Sequence, residues 1–174
     1  QRLDGALVTG LFNSATDNIE AKLGKRGNVY LLDGQVITAS RTDSILEEYG
    51  KTGNGEGELH FPRLRVVSAH NLHTGVARQL SIGTWHDSEV ALAADVIQTL
   101  PAKSILVMDR FFDKPTFLTK VLEKQITAVV RVRNVVAKRL FGQLPAEPAA
   151  EKPVVWVPCD KKLKEIELKG RIIK

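Results

Sequence analysis

Two apolar runs in this 174-residue chain each end in an aspartate. Val29-Tyr30-Leu31-Leu32 leads into Asp33, and Ile105-Leu106-Val107-Met108 leads into Asp109. Short continuous runs of this kind read as strands, and the second, over residues 104–109, reads as one buried on both faces. A carboxylate within or at the end of a buried strand is costly unless an arginine, backbone donors or a cation compensates it. In α/β sheets, ligands gather beyond the carboxyl ends of the strands. If the two strands are adjacent and parallel, the carboxylates converge across one strand spacing, about 4.8 Å. Two carboxylates that close repel at neutral pH, and a hard divalent cation resolves the repulsion. Two plainer roles stay open, with Asp33-Gly34 as a turn and Asp109 as the cap of a following helix.

The remaining segments supply a sheet in which such a meeting can occur. Residues 6–23 carry helical apolar spacing (Leu7, Leu11, Ile19, Leu23), with a possible break at Asn13-Ser14, and residues 1–27 read as the helical tail of a preceding domain. Residues 29–37 form a first strand, and residues 38–63 a long polar connection whose Gly53-Asn54-Gly55-Glu56-Gly57 centre lacks the Gly-Lys-Ser/Thr of a phosphate-binding loop. Strands at 64–71 and 76–82 flank His73-Thr74-Gly75 and should pair as an antiparallel hairpin. A helix with Asp87 and Glu89 in its first turn follows and closes at Pro101. After Asp109, a helix capped by Asp113 with Pro115 in its first turn leads to a strand at 126–132. Strand, helix and strand at this length make a parallel βαβ unit with a right-handed crossover. The fold class is therefore α/β: three antiparallel strands leading into a parallel βαβ half, a mixed sheet with helices on both faces.

Composition narrows the class further. The chain is 43% apolar and 26% charged, which excludes wholesale disorder and fibrous folds. A chain this long buries roughly 70% of its unfolded surface and needs no disulfide or metal staple. Cys159 is the single cysteine, so a disulfide framework and a cysteine-rich zinc site are out. No apolar run is long enough for a membrane span, and no signal peptide is visible. The net charge of +5 is concentrated: eight basic residues lie between Arg110 and Leu140, opposed only by Asp113 and Glu123. A basic face attracts a polyanion, although Lys114, Lys120 and Lys124 also suit a solvated helix face.

Leu-Leu-Asp33-Gly34, Phe61-Pro62-Arg63-Leu64-Arg65, Asp87-Ser88-Glu89 and Asp109-Arg110-Phe111-Phe112, in this order and spacing, resemble a DDE transposase of the bacterial insertion-sequence type over residues 28–140. The resemblance implies a ribonuclease-H-like catalytic core, with residues 141–174 as the start of a β-rich insertion. It implies DNA strand cleavage and strand transfer by phosphoryl transfer at transposon ends, with two Mg²⁺ (or Mn²⁺) ions in the complete site. Asp33 matches the first acid of that family, Asp109 the second, and Arg110 the arginine that follows it near DNA. The third acid, a Glu in a Tyr-x-x-Arg-x-x-x-Glu helix, has no match: neither Tyr30 nor Tyr49 begins that pattern, and Glu165 and Glu167 lie in a strand-like stretch. It is expected beyond Lys174, so the chain alone should bind metal weakly and transfer little or no DNA. The resemblance also implies double-stranded DNA as partner, a homodimer in the full-length protein and a cytoplasmic, nucleoid-associated setting in a bacterium. A ribonuclease-H-like nuclease that does not join strands, and an inactive remnant that binds DNA or protein, are the alternatives.

Arg131 and Arg133 share strand parity at the end of the strand after the second helix, and both are candidates for phosphate contacts. Other residues carry weaker signals. His70 and His73 flank a hairpin turn rather than share a face, and His60 and His86 read as surface residues. Trp85 and Trp156 read as packing residues. Cys159 lacks a partner histidine, and Ser40, Ser81 and Ser88 sit in no nucleophile elbow.

Overall fold

The computed structural model describes residues 5–23, 27–53, 57, 59–141, 151–157 and 167–173. Five strands, β1 (Val29–Thr38), β2 (Arg63–Asn71), β3 (Ala77–Thr84), β4 (Ile105–Met108) and β5 (Thr127–Val130), form one sheet in the order β3-β2-β1-β4-β5. β1 is antiparallel to β2 and β2 to β3, whereas β1–β4 and β4–β5 are parallel. The hairpin between β2 and β3 is set by Asn71, whose Oδ1 accepts from the backbone of His73 at 2.9 Å and Thr74 at 3.2 Å. Gly75 completes it at φ +70°, a conformation that glycine adopts without a side-chain clash.

Two helices cross the sheet: α3 (Glu89–Gln98) links β3 to β4, and α4 (Pro115–Glu123) links β4 to β5. Both crossovers advance in the same direction through the strand order, so right-handed connections bring both helices to one face. There Tyr30, Leu32, Val67, Leu106 and Met108 pack with Leu92, Val96, Ile97, Phe117 and Val121. α3 and α4 thus cover this face together. On the other face Leu31, Ile105 and Val129 remain 38%, 39% and 49% exposed. β4 is accordingly buried on one face and not on two, as its apolar run had suggested.

The remaining elements differ from the sequence expectation in instructive ways. α1 (Gly5–Leu23) is one unbroken helix. It docks on β3, where Thr16 Oγ1 donates to the Ala77 carbonyl at 3.2 Å and Arg78 pairs with Asp17 and Glu20. The polar connection contains α2 (Asp43–Tyr49), which starts where Thr42 Oγ1 accepts from the Ile45 amide and ends at Gly50, φ +71°. α5 (Asn134–Phe141) follows β5, and β6 (Glu151–Trp156) pairs antiparallel with β7 (Leu168–Ile173). Pro153, read as a linker mark, lies in β6 opposite Arg171; both strands of a two-stranded sheet are edges, where proline is tolerated. Pro145, Pro148, Pro158 and Cys159 lie outside the described residues.

Asp113 is not the cap of α4. Lys114 occupies that position without a side-chain hydrogen bond, and Pro115 begins the helix. Asp113 is instead fully buried, and its Oδ2 accepts from the Arg133 backbone at 3.0 Å and from Arg133 Nε at 2.8 Å. This latch ties the segment after β4 to the segment after β5. Beside it, Phe112 and Phe117 are buried with ring centroids 5.7 Å apart. Phe112→Ala should lower unfolding stability by about 3–5 kcal/mol, measured as a shifted denaturant midpoint. A loss under about 1 kcal/mol would mean that Phe112 is not a core anchor.

Candidate functional site

The β1–β4 ladder runs in register from Val29↔Ile105 to Leu32↔Met108, so Asp33 and Asp109 stand side by side one residue past its end. The β4–β5 ladder ends at Met108↔Val130, which sets Arg131 beside Asp109; its amide still donates to the Met108 carbonyl at 3.2 Å. On the antiparallel side Ser68 pairs with Asp33. Ser68, Asp33, Asp109 and Arg131 therefore form one row across four strand positions. Leu32 and Met108 point into the core, and side chains alternate along extended backbone. Asp109 keeps extended angles, φ −77° and ψ 175°, so both aspartates project to the face opposite the core, and both are exposed.

Of the plainer roles, the turn at Asp33-Gly34 is excluded, because β1 passes through both residues and Gly34 pairs with Val67. The capping role holds in part: Asp109 Oδ1 accepts from the Phe111 amide at 2.7 Å and starts a 3-10 turn over Arg110–Phe112. Asp33 Oδ1 accepts from the Gly34 amide at 2.9 Å. One oxygen of each carboxylate is thus fixed by its own backbone, which orients the group.

A third carboxylate lies nearby. Glu89, read from the sequence only as an acid in the first turn of α3, lays its carboxylate against Gly34, where an added β-carbon would overlap it. Arg65 Nη1 faces Glu89 Oε2 at 3.9 Å. Burial holds the Glu89 carboxyl above its ordinary range; Arg65 opposes this, and the negative charges of Asp109 and Asp33 add to it. The signal available in the sequence was the glycine inside a strand pattern, which marks close approach of another group. Among the described residues, no three His, Cys, Asp or Glu side chains are gathered tightly enough to hold one ion. The chemistry of the donors, carboxylate oxygens held side by side just past the end of the β1–β4 ladder, suits a hard ion such as Mg²⁺ or Mn²⁺.

Two other acids near the strand ends are committed to structure. Asp87 Oδ2 accepts from the Thr84 amide at 2.6 Å, and that bond foremost holds its carboxyl below the usual range. Asp87 precedes α3 instead of lying in its first turn. Asp113 is held by Arg133.

The arginines separate in the same way. Arg110 is exposed in the 3-10 turn directly after Asp109, and Arg131 is exposed in the row of acids. Arg133 does not share a strand parity with Arg131, because β5 ends at Val130 and the Asp113 carboxylate captures the Arg133 backbone amide. Its Nε is engaged as well, although the side chain is 49% exposed. Lys124 donates to the Gln98 carbonyl at 3.0 Å, and Lys114 lies over the Phe111 ring at 5.9 Å. His70 Nε2 is 2.9 Å from Ser68 Oγ. Trp85 carries the guanidinium groups of Arg63 and Arg65 at 5.5 and 5.6 Å, while Trp156 is buried. Glu165 lies outside the described residues, and Glu167 directly precedes β7.

No helix among the described residues is long and apolar enough to cross a membrane. A search of curated proteins finds no match to the chain. A family model described as "Transposase DDE domain" matches residues 24–165, well over half of the chain and the whole of the five-stranded sheet from β1 to β5. The mixed sheet, with three antiparallel strands and a parallel half, is of the ribonuclease-H-like kind expected of that domain. By sequence and by fold, the chain belongs to the DDE transposases of the insertion-sequence type.

Proposed function

We propose that the row of Asp33, Asp109 and Arg131 is the phosphoryl-transfer site of a DNA transposase core, cutting strands at transposon ends and joining them to a target. The observation that carries this reading is the register of β1 with β4, which sets two carboxylates side by side just past the end of a parallel ladder, at the carboxyl end of β4. Family membership supports a transposase or nuclease type of activity and a DNA substrate. A homodimer acting on paired DNA ends, and a cytoplasmic setting on the nucleoid, belong to the same proposal.

Asp33 and Asp109 are the residues that would hold Mg²⁺ or Mn²⁺, two ions in the complete site. When bound, such ions lower the pKa of an attacking water or 3′-hydroxyl and stabilise the leaving oxygen. The backbone bonds to Asp33 and Asp109 keep each carboxylate aimed before any ligand arrives, which limits the side-chain entropy lost on binding. Arg131 stands one strand spacing from Asp109, about 4.8 Å, and Arg110 is its chain neighbour. Both forked donors suit a scissile-strand phosphate. Arg133 contributes by anchoring the segment that presents Arg131, through its bonds to Asp113.

Calorimetric titration with Mn²⁺ should show binding to the chain that Asp33→Asn and Asp109→Asn each weaken by more than about tenfold. Binding indistinguishable from wild type in both variants would remove the metal site. Arg131→Ala should weaken DNA binding uniformly across sequences and reduce the slope of log K against log salt by about one, with the Tm unchanged. Arg133→Ala should instead lower the Tm, because it strips the buried Asp113 of its partner. The opposite pattern would exchange the two roles. A joining assay with 3′-hydroxyl DNA ends separates a transposase from a nuclease: joined product supports the proposal, and hydrolysis alone contradicts it.

A further inference from the structure

We propose that Arg63 and Arg65, carried on the ring of Trp85, form a second DNA contact of this core, one that grips the phosphate backbone away from the acid row. The inference rests on DNA as the substrate and not on the reading of Asp33 and Asp109 as metal ligands. The family resemblance gives Arg63, Arg65 and Trp85 no role, and the sequence alone reads Trp85 as a packing residue.

The backbone builds this stack from two sides. Arg63 and Arg65 share one face of β2, about 7 Å apart along the strand. That spacing is close to the separation of successive phosphates on one DNA strand. The Arg63 amide donates to Thr52 Oγ1 at 2.8 Å, and Thr52 is itself buried. Trp85 opens the turn between β3 and α3, and two bonds fix that turn. The Thr84 amide donates to Asp87 Oδ2 at 2.6 Å, and the His86 amide donates to Thr84 Oγ1 at 3.3 Å. The ring thereby meets the Arg63 and Arg65 guanidinium groups at 5.5 and 5.6 Å.

A ring contact holds a guanidinium through its charge and leaves the N–H groups able to donate. Arg63 is exposed, and among the described residues no hydrogen bond or ion pair occupies its side chain. Arg65 Nε is buried without a hydrogen-bond partner, and its ion pair with Glu89 spans 3.9 Å, long for a charge-assisted hydrogen bond. Trp85 therefore orients two forked donors that the fold leaves largely unspent, and such forks suit phosphate oxygens. A DNA strand repeats those oxygens at the spacing of the two arginines, whereas a protein partner would need two carboxylates set at that interval. The stack also lies apart from the acid row. Arg63 pairs with Thr38, five residues beyond Asp33 on β1 and about 17 Å along the strand. Side chains alternate, so Arg63 and Arg65 share the face of Leu32 while Asp33 projects from the other. One phosphate cannot touch both places, and the stack holds DNA beyond the step that reacts.

Fluorescence anisotropy with a labelled mixed-sequence DNA duplex and the 174-residue chain tests this. Arg63→Ala should weaken binding about tenfold at low salt and reduce the slope of log K against log salt by about one, with the Tm of wild type. Combining Arg63→Ala with Arg131→Ala should reduce the slope by about two, because the contacts are separate. Trp85→Phe keeps a ring and should bind nearly as wild type does, whereas Trp85→Leu should weaken binding. Wild-type affinity and slope in Arg63→Ala, with Arg131→Ala impaired, would overturn the proposal and leave the acid-row reading standing. The reverse, an impaired Arg63→Ala beside an unaffected Arg131→Ala, would support the stack and count against Arg131 at the acid row. A lowered Tm in Trp85→Leu together with unchanged DNA affinity in Arg63→Ala would assign the stack to packing. If the wild-type chain binds no DNA, this proposal falls together with the DNA substrate.

Discussion

The in-register parallel pairing of β1 with β4 is the constraint on which the candidate site depends. Two aspartates 76 positions apart in the chain become neighbours because the strands before them pair residue for residue up to Leu32 and Met108. A slip of one residue would turn one carboxylate toward the core and the other away from it. The register is secured by side chains that cannot tolerate such a slip. Tyr30, Leu32, Leu106 and Met108 are nearly fully buried under α3 and α4. The hydrophobic core thus fixes the placement of two polar groups that it does not touch.

The same logic sorts charged residues that look alike in the sequence. Asp113 and Asp109 are four residues apart, yet one is fully buried with Arg133 and the other is exposed at a strand end. Arg131 and Arg133 differ because β5 ends between Val130 and Arg131, after which the chain turns under the hold of Asp113. Position at the end of a ladder, and not charge or spacing alone, separates groups available to a ligand from groups spent on the fold. A basic stretch read as one polyanion-binding segment resolves into residues with distinct duties.

Most of the architecture was legible in the sequence because it rests on local patterns. Apolar runs of strand length, the His73-Thr74-Gly75 reversal and two helical repeats between strands gave the order of elements and the βαβ half. What escaped depends on contacts remote in the chain. The position of Glu89, at the start of α3, depends on Gly34 on β1 and Arg65 on β2, and no spacing rule links those three. α2 had a local signal, Thr42 before Asp43 and Gly50 after Tyr49, but only seven residues in which to show periodicity. The half-exposed face of β4 was missed because a short apolar run does not reveal whether both of its faces are covered.

Site-resolved Mn²⁺ titration by NMR tests the central claim most directly, since a paramagnetic ion broadens the amides around it. At substoichiometric Mn²⁺, the amides of Gly34, Arg110 and Phe111 should lose intensity first, because all three adjoin Asp33 or Asp109. Early loss at the β2–β3 hairpin around His73, or near Asp17 and Glu20 on α1, with those three amides still sharp, would contradict a cation centre at the end of the β1–β4 ladder.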